Sequence, residues 1–142
     1  MKRPRVVLDT NVLVSGLRSK RGAAFRVLAL LPSERFIANV SVPLVVEYEK
    51  ALLAPASAVQ SSPRQIRAFI DYFCALADKR MIHFLWRPRL RDPKDEMVLE
   101  IAVAGRCQFI VTFNVADFAG VDEFGIEVIT PHQFLQVLGE ST

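Results

Sequence analysis

Short runs of adjacent apolar residues alternate along this chain with longer stretches whose apolar positions recur at helical spacing. The first run, Arg5-Val6-Val7-Leu8-Asp9, stops abruptly at an acid and predicts a buried strand that delivers Asp9 at its C-terminal edge. A helical stretch follows from Asn11 through Leu17. Gly22 precedes Ala23 to Leu31, whose Ala and Leu content predicts a helix ended by Pro32. Arg35-Phe36-Ile37-Ala38 reads as the second strand. Ser41 with Pro43 is a helix start, because Ser accepts from a free backbone N–H and Pro in the first turn needs no donor; that helix runs to about Leu53. Ala54 to Ser62 is a polar loop, after which Ser62-Pro63 opens a helix through Phe69, Ile70, Phe73 and Leu76. Met81 to Trp86 predicts a third strand. Asp92-Pro93 opens a helix carrying Val98, Leu99, Ile101 and Ala102, closed by Gly105 as a left-handed cap. Phe109 to Thr112 and Glu127 to Ile129 predict the last two strands, and Thr130-Pro131 begins a final helix through Phe134, Leu135 and Leu138.

Strands that alternate with helices predict an α/β fold: a mostly parallel sheet of about five strands, covered on both faces to give a three-layer α/β/α sandwich. The 142 residues suit one domain spanning 1–142, and the 51% hydrophobic content with mean hydropathy +0.26 excludes disorder. No apolar stretch is long enough to span a bilayer, and the basic start is followed by too few apolar residues for a signal peptide, so no membrane partner is expected. Cys74 and Cys107 stand apart and outside any metal-binding spacing, which argues against zinc and for a reducing, cytoplasmic setting with both thiols buried. His83 and His132 accompany no nucleophile motif.

Charge changes this picture through its distribution. The net charge is +3, yet every Lys and Arg lies at or before Arg106, while Asp117, Asp122, Glu123, Glu127 and Glu140 follow it. Basic clusters at Lys2-Arg3-Arg5, Arg18-Lys20-Arg21-Arg26 and Arg87-Arg89-Arg91-Lys94 form either a phosphate-binding surface or a scattered solvated face.

The candidate chemistry lies in the acids. In an open parallel sheet, ligands bind beyond the C-terminal ends of the strands, where Asp9 and the Asn114/Asp117 segment should emerge beside the helix start at Asp92. Carboxylates gathered there repel one another unless a cation neutralises them or some take up protons. Mg²⁺ or Mn²⁺ suits such an all-oxygen site. Each acid has a plainer alternative. Asp9 is also a good helix cap, Asp95 stands three residues after Asp92 at capping-box spacing, and Glu47, within an apolar helical segment, needs a partner or a metal if it is buried.

These residues, in this order, resemble the PIN-domain family, and nearly the whole chain is similar to the VapC-like toxin components of type II toxin–antitoxin systems. Val7-Leu8-Asp9-Thr10-Asn11-Val12-Leu13-Val14-Ser15-Gly16 matches the first motif, Ser41 through Glu47-Tyr48-Glu49 resembles the second, and Asp92-Pro93-Lys94-Asp95-Glu96 matches the third. The fourth departs. Many relatives read Thr-Gly-Asp-x-x-Asp-Leu where this chain has Thr112-Phe113-Asn114-Val115-Ala116-Asp117-Phe118, so Asn replaces the first acid and Asp117 ranks above Asn114 as the charged member. The resemblance implies a PIN-like, Rossmann-like fold and a metal-dependent endoribonuclease. Asp9, Glu47, Asp95 and Asp117 would be its catalytic metal ligands, and Asn11, Asp92, Thr112 and Asn114 would support them. Glu49, Glu96 and Glu100 read as exposed or peripheral. It further implies an RNA substrate, a cognate antitoxin and a homodimer or higher oligomer. Against this stand a catalytically weakened domain that binds RNA or protein, marked by Asn114, and a phosphatase using Asp9, disfavoured because Asn11 occupies the place of the second acid such enzymes require.

Overall fold

Val6, Val7 and Leu8 are fully shielded from solvent although successive strand residues face opposite sides, so β1 (Arg5–Leu8) is covered on both faces. The computed structural model describes residues 3–81 and 90–140. Beside β1 lie β2 (Ile37–Val40), β3 (Asp78–Lys79), β4 (Phe109–Val111) and β5 (Glu127–Ile129), in the spatial order β3-β2-β1-β4-β5. Every pairing is parallel, with Val6 opposite Ala38 on one side and Leu8 opposite Val111 on the other. Together with its helices this sheet forms the α/β layered architecture that the alternating pattern predicts. The strand expected over Met81 to Trp86 lies, beyond Met81, outside the described residues. Arg35 and Phe36 precede pairing instead of opening β2. Phe36 packs edge-on against Phe134, with ring centroids 5.1 Å apart, and Arg35 pairs with Glu140, so the ladder begins only where the Ile37 amide donates to the Pro4 carbonyl.

The helices are α1 (Thr10–Arg18), α2 (Ala23–Ala29), α3 (Val42–Leu53), α4 (Pro63–Leu76), α5 (Pro93–Ala104) and α6 (Pro131–Val137). Their starts follow local chemistry. Asp9, Ser41, Ser62, Asp92 and Thr130 each accept from a free amide of the first turn, and Ser62 and Thr130 complete capping boxes with Gln65 and Gln133. Pro32 does not end α2. It lies inside a following 3₁₀ turn, Leu31–Ser33, where a first-turn Pro sacrifices no hydrogen bond. Cys107 is buried as expected, but Cys74 is only half-buried, because it stands on the flank of α4 against a smaller cluster of Leu52, Ile66 and Ile70.

The closure of α5 corrects a second expectation. Gly105 has φ −84° and is not left-handed; the left-handed residue is Arg106, at φ 52°. Glycine is needed at 105 for space, since a Cβ there would lie 2.7 Å from Asn39 Oδ1. Asn39, fully buried on β2, accepts from Arg5 Nη2 (2.9 Å) and Arg80 Nε (3.2 Å) and donates to the carbonyls of Val6 and Ile37. Arg5 also donates to Gly105 O and pairs with Asp78, both at 2.8 Å. This part of the first basic cluster is therefore structural.

From β1 the chain builds outward to β3 and then returns to place β4 on the other side of β1. The sheet's switch point thus lies between the C-terminal ends of β1 and β4, where parallel α/β sheets open a crevice for ligands.

Candidate metal centre

β1 ends at Leu8 and β4 at Val111, side by side, so the next residues, Asp9 and Thr112, emerge together at the switch point. The Asp9 amide continues the ladder to Val111 O at 2.9 Å, and Thr112 N donates to Ile129 O at 2.9 Å, which fixes both on sheet backbone. Asp9 Oδ1 accepts from Thr10 N (2.8 Å) and Oδ2 from the Thr112 hydroxyl (2.8 Å). Asn11 Nδ2 lies 3.4 Å from the same Oδ2 and 3.3 Å from Thr112 Oγ1, and Asn11 Oδ1 accepts from Phe113 N at 3.3 Å. Beneath them Tyr48, buried on α3, donates its hydroxyl to the Leu8 carbonyl and meets Phe73 edge-on. Asp9 therefore caps α1 and at the same time faces a cleft of about 630 Å³.

Glu47, Asp92, Asp95, Asn114 and Asp117 line that cleft with Asp9 and Asn11, while Thr112 sits buried behind Asp9. Asp92 caps α5 through Lys94 N at 2.8 Å. Asp95, one turn into the same helix, faces the cleft. The Glu47 side chain is mostly buried and finds a partner in Lys94, whose Nζ is 3.2 Å from Oε1. Asp117 belongs to a 3₁₀ turn, Val115–Phe118, and acts electrostatically on both Asp9 and Asp95; Asn114, at the start of that turn, adds an uncharged amide.

Burial raises the Asp9 carboxyl above its ordinary value against the bonds from Thr112 and Thr10, and Asp117 and Asp92 push it further. Burial, followed by the charges of Asp9, Asp92 and Asp117, lifts Asp95 to about 6. In the folded protein Asp95 thus takes up its proton at a higher pH than when unfolded. Its ionised form opposes folding above about pH 6, and the penalty vanishes below the ordinary value of 3.8. Asp95→Asn should therefore stabilise the metal-free protein by roughly 0.5–1 kcal/mol at pH 7.5, a figure discounted for solvent screening, and by only a small fraction of that at pH 4. Thermal melts at the two values check this. An equal gain at both would mean that charge repulsion is not the cause.

The acidic and amide side chains facing the cleft offer oxygens, and the raised proton affinity of Asp9 and Asp95 is what a hard divalent cation relieves, so the chemistry of the set fits Mg²⁺ or Mn²⁺. Among the described residues no three His, Cys, Asp or Glu side chains are grouped around one point. Other features escaped the sequence. Glu96, expected exposed, is buried and accepts from Leu90 N at 2.8 Å, bracing the approach to α5. Phe113 lines the cleft too, joined there by Arg18 and Lys94 from two of the basic clusters that the sequence offered as a phosphate-binding surface, and Arg91 lines an adjoining hollow bounded by Asp92, Asp95 and Asp117. The helical stripe Asn11, Val14, Ser15, Arg18 is the signal that could have placed Arg18 in the cleft. Arg87 and Arg89 lie outside the described residues.

A parallel α/β sheet with carboxylates gathered at its switch point defines a class of proteins suited to holding a divalent cation. Comparison with known proteins narrows that class. The chain belongs to the PIN-domain family: the PIN domain model matches residues 5–116. Among solved structures it is similar to a chain of VapBC2 from Rickettsia felis, determined bound to a DNA fragment from their promoter. That similarity has 14% identity and a TM-score of 0.59 and covers 89% of this chain and 98% of that one, so it speaks for the fold. No curated protein matches the sequence. No helix among the described residues is long and apolar enough to cross a membrane.

Proposed function

We propose that this chain, as a single PIN domain over 1–142, is a metal-dependent endoribonuclease in which Asp9, Glu47, Asp95 and Asp117 hold Mg²⁺ or Mn²⁺. The observation that carries this is the gathering of those carboxylates in one cleft at the sheet's switch point, with Asp9 and Asp95 both raised in proton affinity. Held by these carboxylates, a divalent cation would supply Lewis acidity toward a phosphate oxygen and toward water near neutral pH. The chain's own residues do the rest. Thr112 and Asn11 fix the orientation of Asp9, Asp92 caps α5 so that Asp95 stays aimed at the cleft, and Asn114 offers an amide beside Asp117. Lys94 and Arg18 supply the positive charge that the phosphates of an RNA strand need in an otherwise acidic cleft.

The similarity to a VapBC2 chain supports a toxin–antitoxin setting, in which a cognate antitoxin covers the cleft, the toxin forms a homodimer or higher oligomer, and both act in the cytoplasm. Purified protein should cleave an RNA oligonucleotide on addition of Mn²⁺ or Mg²⁺ and stop on chelation. A preparation that binds Mn²⁺ in calorimetry yet never cuts RNA would favour the second reading, a binding module, for which Asn114 in place of an acid and the Lys94–Glu47 pair speak. One that does neither overturns the metal site.

A further inference from the structure

Phe113 lies on the cleft beside Asn114 and is 46% exposed, although most large apolar residues here are buried. Its surroundings are not an apolar patch. Of the residues that line the cleft with it only Val14 is apolar, whereas energetic centres of protein interfaces sit in well-packed, desolvated pockets. Nor is its position loose. The Phe113 amide donates to Asn11 Oδ1 at 3.3 Å, its neighbour Thr112 is fully buried with its hydroxyl on Asp9, and the Asn114 amide returns to that hydroxyl at 3.0 Å. The ring is therefore carried by backbone that is hydrogen-bonded to the same groups that orient Asp9.

A cationic site lies along the same wall. Asn11, Ser15 and Arg18 follow one another on one face of α1, which puts Arg18 roughly 10 Å beyond Asn11 at 1.5 Å of rise per residue. An aromatic face, a line of polar side chains and a guanidinium together match a nucleotide strand, whose bases stack on aromatic rings while its phosphates meet cations.

We propose that Phe113 is a stacking platform for a base next to the scissile phosphate and that Arg18 anchors a neighbouring phosphate, so that this cleft selects a nucleotide as well as a phosphodiester. This rests on the nuclease reading above and adds a specificity subsite to it. The ring needs a base that is free to leave its own stack, and its contribution tolerates any base while requiring that one be present.

Kinetics on a short single-stranded oligoribonucleotide with Mn²⁺ test it. Phe113→Ala should raise KM about tenfold to hundredfold, the loss expected for one stacked base, and Phe113→Trp should restore it to within about threefold. An abasic nucleotide beside the cleavage site should weaken binding to the wild type to a similar degree and cost Phe113→Ala little more, because both remove the same contact. In Phe113→Trp, stopped-flow mixing with the intact strand should quench the added tryptophan emission before cleavage, and the abasic strand should not. Wild-type KM in a folded Phe113→Ala variant overturns the proposal while leaving the nuclease intact. Wild-type KM combined with lost binding to a protein partner assigns the ring to protein docking and overturns it equally. If the wild type neither cuts nor binds RNA with Mn²⁺, the nuclease reading fails and the subsite fails with it.

Discussion

Asp9→Asn should lower RNA cleavage at least about 10²–10³-fold while leaving the protein folded. The substitution keeps the shape of the side chain, and its remaining oxygen still accepts from Thr10 N, so the cap on α1 survives. The Thr112 hydroxyl already accepts from Asn114 N at 3.0 Å and lies 3.3 Å from Asn11 Nδ2, so it accepts from the new amide as the longer Asn11 contact gives way. What is lost is a negative charge at the switch point, and with it the attraction for a divalent cation. Because burial and the neighbouring acids already raise the Asp9 carboxyl, its ionised form opposes folding near neutral pH when no metal is bound. The variant's melting temperature without metal should therefore match or exceed the wild type's. Mn²⁺ at 100 times its Kd should stabilise the wild type by about 2.7 kcal/mol and the variant far less. Cleavage at the wild-type rate by Asp9→Asn would mean a contaminating nuclease and remove the basis for the assignment.

Asn39→Ala should destabilise the fold by about 2–4 kcal/mol, a fall in melting temperature on the order of 10 °C. Its amide serves four partners from a fully buried position, and two of them are the cationic groups of Arg5 and Arg80, which lose an acceptor. Gly105→Ala should cost about 1–2 kcal/mol by itself, since its Cβ would press on Asn39 Oδ1 at 2.7 Å and on the Ile101 carbonyl at 3.1 Å. In the double variant the first of these contacts is gone, so the combined loss should fall short of the sum by at least about 0.5 kcal/mol. Strict additivity in thermal or urea unfolding would show that Gly105 is not reserved for Asn39.

The parts of the fold that were legible in the sequence are those set by neighbours in the chain. Ser41, Ser62 and Thr130 begin helices because a side-chain oxygen three residues upstream of a free amide can satisfy it, whatever the rest of the molecule does. Val6-Val7-Leu8 and Phe109-Ile110-Val111 are strands because β-branched and aromatic runs suit a sheet buried on both faces. Where tertiary packing competes with local preference the sequence misled. Arg35 and Phe36 leave the second strand to tie down α6, and Glu96, which looked like an exposed helix acid, turns inward to a backbone amide six residues earlier.

The acidic centre divides along the same line. By itself the sequence determined the kinds and order of the elements and placed Asp9, Glu47, Asp95 and Asp117 at the ends or on the helices of an α/β fold, because caps, periodicities and motif spacings are properties of adjacent residues. Only the tertiary structure decided that Lys94 holds Glu47, that Thr112 reaches Asp9 and Asn11 across about a hundred residues of chain, and that Phe113 and Arg18 share the cleft with the acids. Those contacts depend on β1 and β4 lying side by side with their ends level. That register is set by the packing of the whole sheet and its helices, and no short stretch of sequence encodes it.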